Sequence, residues 1–441
     1  MDNYKLNQHP VKRSLRYSFI DGCFFSVMFG FGDTYLNPYI IALKATPQEV
    51  GLLTSLPGFA SSILQYKTPD ITKLWGRKRT MVTSVFLHAL MWLPILLIPF
   101  IFQTKLALWL VGFVTLYTMF TGLGGPAWAS IMTQYIPNQS RGKYFSFRNK
   151  WLGSITLISS FIAGIILWLM NKKSIYGFTI IFSIAFLCRF ISWYFITKYY
   201  EPKIHTPKEA EFGLKDFLIR FKESNFVKFV LYVAFTSFAV YLAAPFFAVY
   251  MLRELKFDYL SFVVINTTLT ITMLLTLSTW GNHADKVGNM SVIRLAGFML
   301  PFLPVLWLFS TSKIYLVCIN ALAGFAWAGF NLAVSNFIFD AVSPEKRVRC
   351  ISYFNLINGT GVCLGALIGG FVIPHLPQTF GSKILTVFVI SGILRFVAQI
   401  TLLPKVKEVR KTVSVKSKDL FFSVLGIKPI IGIPQDTIRI E

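Results

Sequence analysis

The stretch WGNHADKVGN, Trp280 to Asn289, lies between two long apolar runs and gathers glycine and charge in ten residues. Hydrocarbon does not tolerate such a cluster, so it belongs at a membrane surface. Its two glycines allow a tight backbone turn, and the carboxylate Asp285 is expected near a helix start, where the macrodipole favours negative charge. Outward from this stretch the chain is apolar for the ~20 residues a helical crossing needs. The whole sequence follows suit: of 441 residues, 54% are hydrophobic and 14% charged, against about 25% charged in soluble domains. With a mean hydropathy of +0.59, the composition describes a polytopic membrane protein.

Twelve segments have the length and composition of spans: Tyr17 to Leu43, Val50 to Tyr66, Thr80 to Phe102, Leu106 to Ile136, Trp151 to Met170, Phe178 to Lys198, Val227 to Leu252, Leu260 to Thr279, Ser291 to Leu308, Ile314 to Ala341, Cys350 to Ile373 and Ile384 to Pro404. The formal charge of +24 raises the question of nucleic acid, but 33 of the 43 Lys and Arg fall on the N-terminal side of these spans and 8 on the other. That asymmetry is the positive-inside pattern. Both termini are therefore expected in the cytoplasm, with the basic side drawn to anionic lipid headgroups and no nucleic-acid partner. The segment before Tyr17 leads into a span too long and too polar for a cleaved signal. The five cysteines lie in or beside apolar spans without metal-ligand spacing and read as small core residues, so no disulfide, metal or cofactor is expected.

Internal repetition organises the chain. Pro38 and Pro245 are 207 residues apart, Gly76 and Gly288 are 212 apart, and RGKYFSFRN (141–149) precedes RVRCISYFN (347–355) by 206. Arg189 and Arg395, each twelfth in its span, are also 206 apart. The expected organisation is a cytoplasmic tail over 1–16, a six-helix bundle over 17–200, a linker over 201–225, a second bundle over 226–404 and a cytoplasmic tail over 405–441. Leu214, Phe217, Leu218 and Phe221 fall on one helical face of the linker opposite charged residues, which suits a helix on the membrane surface.

The spacing Gly281, Asp285, Lys286, Gly288, Asn289 resembles the loop signature of the major facilitator superfamily, G-x-x-x-D-[RK]-x-G-[RN]. The resemblance covers residues 17–404. It implies an all-α fold of twelve transmembrane helices in two pseudo-symmetric six-helix bundles. A central cavity would be lined mostly by spans 1, 4, 7 and 10, with transport by rocking of one half on the other. The N-terminal copy, TPDITKLWGRKRT, keeps Gly76 and Arg77 but has Lys73 where Asp285 stands. The nearest carboxylate is Asp70, one turn earlier, so the conformational lock is expected to rest on Asp285 alone.

An ionisable group in the bilayer costs roughly 2.5–3.5 kcal/mol on insertion scales, so one kept there marks a functional candidate. Asp33 is the clearest. Ser26, Gly30, Asp33, Thr34 and Asn37 form one polar stripe on one helical face, and a carboxyl withdrawn from water favours its neutral form, which suits exchange of a proton or cation. The alternative is a carboxylate that only packs helices together. Asn320, Gly324, Trp327, Asn331 and Ser335 share a face in span 10, and Asn355 and Asn358 lie in span 11; these are candidate cavity walls or helix-packing positions. Arg189 and Arg395 read as architectural, with Asp21 and Asp340, near cytoplasmic ends, as candidate partners. His88 is a lone histidine in span 3.

No H-E-x-x-H, G-x-S-x-G or P-loop pattern occurs, which argues against an enzyme. The reading is a monomeric secondary active transporter in the cell membrane. It moves a small organic solute by alternating access, with a proton or cation as coupling ion. Efflux of drugs or amphiphiles is the alternative, although span 5 lacks the Gly-Pro of antiporters; a scramblase or non-transporting scaffold is a reading from another class.

Overall fold

The computed structural model describes residues 8–136, 138–170, 175–201, 224–342, 344–409 and 417–424, and every regular element among them is helical. The amphipathic stretch of the linker and most of the C-terminal tail lie outside these residues. The chain divides into two compact units. One comprises Met1–Pro207, Ala244–Val264 and Ala366–His375, the other Lys208–Ala243, Ile265–Gly365 and Leu376–Glu441.

The first unit opens with α1 (Gln8–Phe31), a 3-10 turn (Asp33–Tyr35) and α2 (Leu36–Ala42). There follow α3 (Pro47–Tyr66), α4 (Thr68–Trp75), α5 (Arg77–Ile101), α6 (Leu106–Tyr135), α7 (Asn138–Leu169) and α8 (Ile175–Thr197). Thr46 starts α3 with a capping box: its backbone N–H donates to Glu49 at 2.7 Å while its hydroxyl accepts from Glu49 N–H at 3.3 Å, satisfying two of the donors a helix start leaves open. Helix α1 packs against α7 and α8, and α6 lies against α3 and α5.

The break after α1 has a sequence cause. Pro38 cannot donate to the carbonyl one turn back, and the buried Trp92 of α5 lies where a side chain at Gly32 would be. The same break recurs at the repeat-related proline: α9 (Asn225–Tyr241) ends, Pro245 follows, and the chain resumes as α10 (Phe246–Val249) and a π turn (Tyr250–Glu254). The remaining elements are α11 (Tyr259–Val287), α12 (Asn289–Met299), α13 (Phe302–Leu306), α14 (Lys313–Ala341), α15 (Pro344–Val372), α16 (Lys383–Thr401) and α17 (Ser417–Val424). In the second unit α12 lies against α14, and α16 against α9 and α13.

Among the described residues, ten helical stretches are long and apolar enough to cross a membrane. The first two expected spans are not among them. Helix α1 carries Lys12, Arg13, Arg16 and Asp21, and α3 is diluted by Thr54, Ser55, Ser61, Ser62 and Gln65. Small residues bring helices together, as membrane packing requires. A side chain at Gly361 would meet the carbonyl of Ala234 at 2.4 Å, and one at Gly365 that of Phe238 at 2.3 Å.

Three expected boundaries shift. Helices α1, α7 and α15 begin at Gln8, Asn138 and Pro344, so the basic segments read as loops before spans 5 and 11 are helical. Hydropathy finds only the apolar part of a helix; Lys and Arg extend it into the interface by holding their charges in water. The stretch 280–287 is also helix, the end of α11, and Gly288 alone makes the turn, at φ 87°. Asp285 thus sits in the last turn of α11, not near a helix start.

Candidate functional site

Two hairpins carry the repeated signature, each turning on one glycine in the left-handed region: Gly76 at φ 82° and Gly288 at φ 87°. Without a Cβ, glycine holds this conformation unstrained. The residue after each glycine is nearly buried and reaches a neighbouring helix. Arg77 donates to Ser130 Oγ at 3.0 Å and Gln134 Oε1 at 3.3 Å on α6. Asn289 donates to Asp340 Oδ2 at 2.6 Å on α14. Lys286 precedes the turn at the C-terminal end of α11, where the dipole favours a cation. Gly281 lies inside that helix, 3.7 Å from Leu332 by its missing Cβ.

The carboxylate missing at Lys73 is supplied from elsewhere. Glu201, just past α8, accepts the amides of Arg77 at 3.1 Å and Lys78 at 3.3 Å and pairs with the Arg77 guanidinium at 3.8 Å. In the second unit Glu408 accepts the Met290 amide at 2.8 Å. Glu201 and Glu408 are 207 residues apart, the same offset as Pro38 and Pro245. The repeat offset, applied to acidic residues, carries this signal; within the hairpin itself the nearest carboxylate is Asp70, and the expectation that Asp285 alone serves the two hairpins left Glu201 out.

Inside the first unit the ionisable groups form one chain. Asp33, in the 3-10 turn, accepts the Tyr117 hydroxyl of α6. The Tyr117 ring stacks on His88 of α5, with centroids 4.6 Å apart. His88 Nδ1 accepts from Arg189 Nε at 2.9 Å, and Arg189 Nη1 donates to Ser192 Oγ at 3.1 Å. Ser192 donates to Asp21 Oδ1 at 3.1 Å, and Tyr199 donates to Asp21 Oδ2 at 2.5 Å. Asp21, His88 and Arg189 are each 5% exposed or less. Burying such groups is tolerable only with partners, and one guanidinium here serves two carboxylates within Coulomb range.

Asp21 is therefore not at a helix end: α1 begins thirteen residues before it. His88, unremarkable in the sequence, is the direct partner of Arg189. Tyr117 gave no signal at all, since an aromatic in an apolar span looks like lipid-facing bulk. Arg395, the repeat of Arg189, is bonded differently. It donates to Ser391 Oγ and to the Leu300 carbonyl, both at 3.1 Å, while Asp340 is engaged with Asn289 rather than with it.

The polar stripe of the first span is divided by its break. Ser26 is buried and its carbonyl accepts from Thr156 at 3.4 Å; Gly30 is pressed on α7, where a Cβ would lie 2.7 Å from the Thr156 carbonyl. Thr34 folds back on the Phe29 carbonyl at 3.2 Å, and Asn37 is half-buried on α2. In α14, Asn320 bonds the carbonyl one turn back at 2.9 Å, Gly324 faces the Leu269 carbonyl of α11, Trp327 packs edge-on to Phe330, and Asn331 and Ser335 are exposed. Asn355 is exposed on α15, and Asn358 is half-buried. Asp33 is thus joined to Tyr117, His88 and Arg189 rather than to a single-faced stripe.

An all-helical multi-pass protein built on an internal repeat, with a titratable cluster buried inside one unit, has the makings of a membrane transporter. The family model of the Major Facilitator Superfamily matches residues 22–263 and 229–434, and the chain belongs to that family. Crystal structures of the nucleoside transporter NupG (D323A mutant) and of a bacterial homologue of the iron transporter ferroportin share its fold. The NupG match has a TM-score of 0.70 at 15% identity, covering 90% of this chain and 100% of that one; the other has 0.65 at 12%, covering 90% and 99%. A bacterial homologue of the human lysosomal transporter Spinster aligns with a TM-score of 0.58 at 16% identity over 92% and 99%. A stretch of 107 residues, 24% of this chain, is 29% identical to the efflux pump azaK of Aspergillus niger and spans 23% of that protein.

Proposed function

We propose that the protein is a secondary active transporter that moves a small organic solute by alternating access and couples it to a proton at Asp33, with both termini in the cytoplasm. The observation that carries this reading is the placement of Asp33. It lies at a break in the first span, bonded to Tyr117 and within Coulomb range of Arg189. A carboxyl so placed can hold a proton at one stage of the cycle and release it when its surroundings change. Ser26, Gly30, Thr34, Asn37, Asn320, Gly324, Trp327, Asn331, Ser335, Asn355 and Asn358 are the proposed positions around the solute path. Gly76, Arg77, Gly281, Asp285, Lys286, Gly288 and Asn289 belong to the gating hairpins. In proteoliposomes, Asp33→Asn is expected to abolish solute accumulation driven by a pH gradient while sparing part of solute-for-solute exchange. A variant that still concentrates solute under the gradient removes Asp33 from coupling. The similarity to an efflux pump favours outward transport as the second reading; measuring the direction of net flux separates the two.

A further inference from the structure

A half-open cavity of about 200 Å³ lies in the first unit, lined by five helices. Its wall is largely apolar, with Phe25 of α1, Met81 and Val85 of α5, Trp128 of α6 and Ile196 of α8. Three charged groups face it: Asp21, Arg148 of α7 and Arg189.

The donor inventory decides which charge the cavity accepts. Each oxygen of Asp21 already accepts a hydrogen bond, one from Ser192 and one from Tyr199. Arg148 is under-used. Its guanidinium lies over the Trp128 ring at 4.9 Å and makes one hydrogen bond among the described residues, from Nη2 to the Ser18 carbonyl at 3.3 Å. Its Nε is buried with no partner among the described residues. A guanidinium carries five N–H donors in a planar fork that matches a carboxylate. Gly22 keeps the place open, since a Cβ there would meet Arg148 Nη2 at 2.6 Å.

Charge balance points the same way. The cations within Coulomb range of Asp21 and Asp33 of the first span are Arg148 of α7 and Arg189 of α8; Tyr117, Tyr144, Tyr199, His88 and Cys23 are the other titratable neighbours. With Asp33 ionised, the four charges cancel. With Asp33 protonated, one positive charge is left over beside an apolar cavity, and a low-dielectric interior favours its neutralisation.

We infer that this cavity is a binding site for a small organic monoanion, a carboxylate on a ring-sized apolar body, held by Arg148 with Arg189 and loaded together with a proton on Asp33. The inference rests on Asp33 as the proton site, and it narrows the transported solute to monocarboxylates that travel with one proton and no net charge.

The test is equilibrium binding of radiolabelled benzoate to the purified full-length protein at pH about 5.5 and about 8, with unlabelled benzamide as competitor. Benzoate is expected to bind at least about tenfold more tightly at the lower pH, benzamide to compete poorly, and Arg148→Gln to weaken binding about tenfold or more, the loss of one charge-assisted anchor. Arg148→Lys, which keeps the charge, is expected to retain part of the affinity, and this separates loss of the anchor from loss of the fold. Asp33→Asn is expected to bind benzoate equally at both pH values. Failure of the wild type to bind benzoate, equal affinity for benzamide, or full affinity in Arg148→Gln overturns the anion site. Binding that needs Arg148 but is the same at both pH values in the wild type leaves the site standing and overturns the proton reading at Asp33.

Discussion

Replacing Glu201 with alanine tests the claim that the first hairpin draws its carboxylate from the far end of α8. The substitution strips the acceptor from two amides, at 3.1 and 3.3 Å, and leaves the nearly buried Arg77 without its acid. A hydrogen bond to a charged group contributes about 1.5–3 kcal/mol, but the Glu201 side chain is 36% exposed, so water takes over part of the loss. The ion pair at 3.8 Å adds little in that setting. A net cost of about 2 kcal/mol follows, and at the ~2–4 °C per kcal/mol typical of a unit of this size the melting midpoint of detergent-purified protein should fall by about 5 °C. Glu201→Gln keeps an acceptor oxygen and loses the charge, and should fall about half as far. Asp70→Ala removes an exposed carboxylate that makes no hydrogen bond or ion pair among the described residues and should leave the midpoint nearly unchanged. Thermal unfolding followed by a thiol-reactive dye reads all three. An Asp70→Ala shift as large as that of Glu201→Ala would refute the assignment.

Packing and orientation give two more expectations. Gly324→Val places side-chain atoms where even a Cβ would stand 2.2 Å from the Leu269 carbonyl; overpacking of this kind costs about 1–3 kcal/mol or more, so the variant should melt several degrees lower or fail to accumulate, and an unchanged midpoint would show that α11 and α14 yield freely. Cysteines at Thr46 and Gln103 should react in intact cells with an impermeant maleimide, and one at Gln139 should not; outside labelling at Gln139 reverses the topology.

The spans and the repeat were legible because burial in lipid leaves its mark locally, in runs of about twenty apolar residues. Pro38, Pro245, Gly76 and Gly288 announced themselves because each constrains its own backbone. The buried cluster was legible only at its charged members, since Asp33 and Arg189 stand out against hydrocarbon while Tyr117 and Ser192 do not. Their hydrogen bonds join residues 84 and 171 positions apart, and no pattern within a span encodes which distant groups will meet. Helix α1 misled for a related reason. Its basic first turns looked like a tail, so Asp21 was placed near an end when it lies deep among other helices.

The paired contacts behind the two turning glycines carry a consequence for how such a duplicated chain changes. Arg77 reaches Gln134, and Asn289 reaches Asp340; Gln134 and Asp340 are 206 residues apart. Compared position by position, the halves disagree at both places: a cation stands against an amide, and an amide against an anion. Taken as pairs, they agree, each with a donor beside the turn and an acceptor one helix away, and with the charged member on opposite ends. What the two copies share is a bond rather than a residue. Either copy can exchange the chemistry of its pair while the other keeps its own, so each hairpin is free to acquire a different sensitivity to salt and pH on an unchanged backbone.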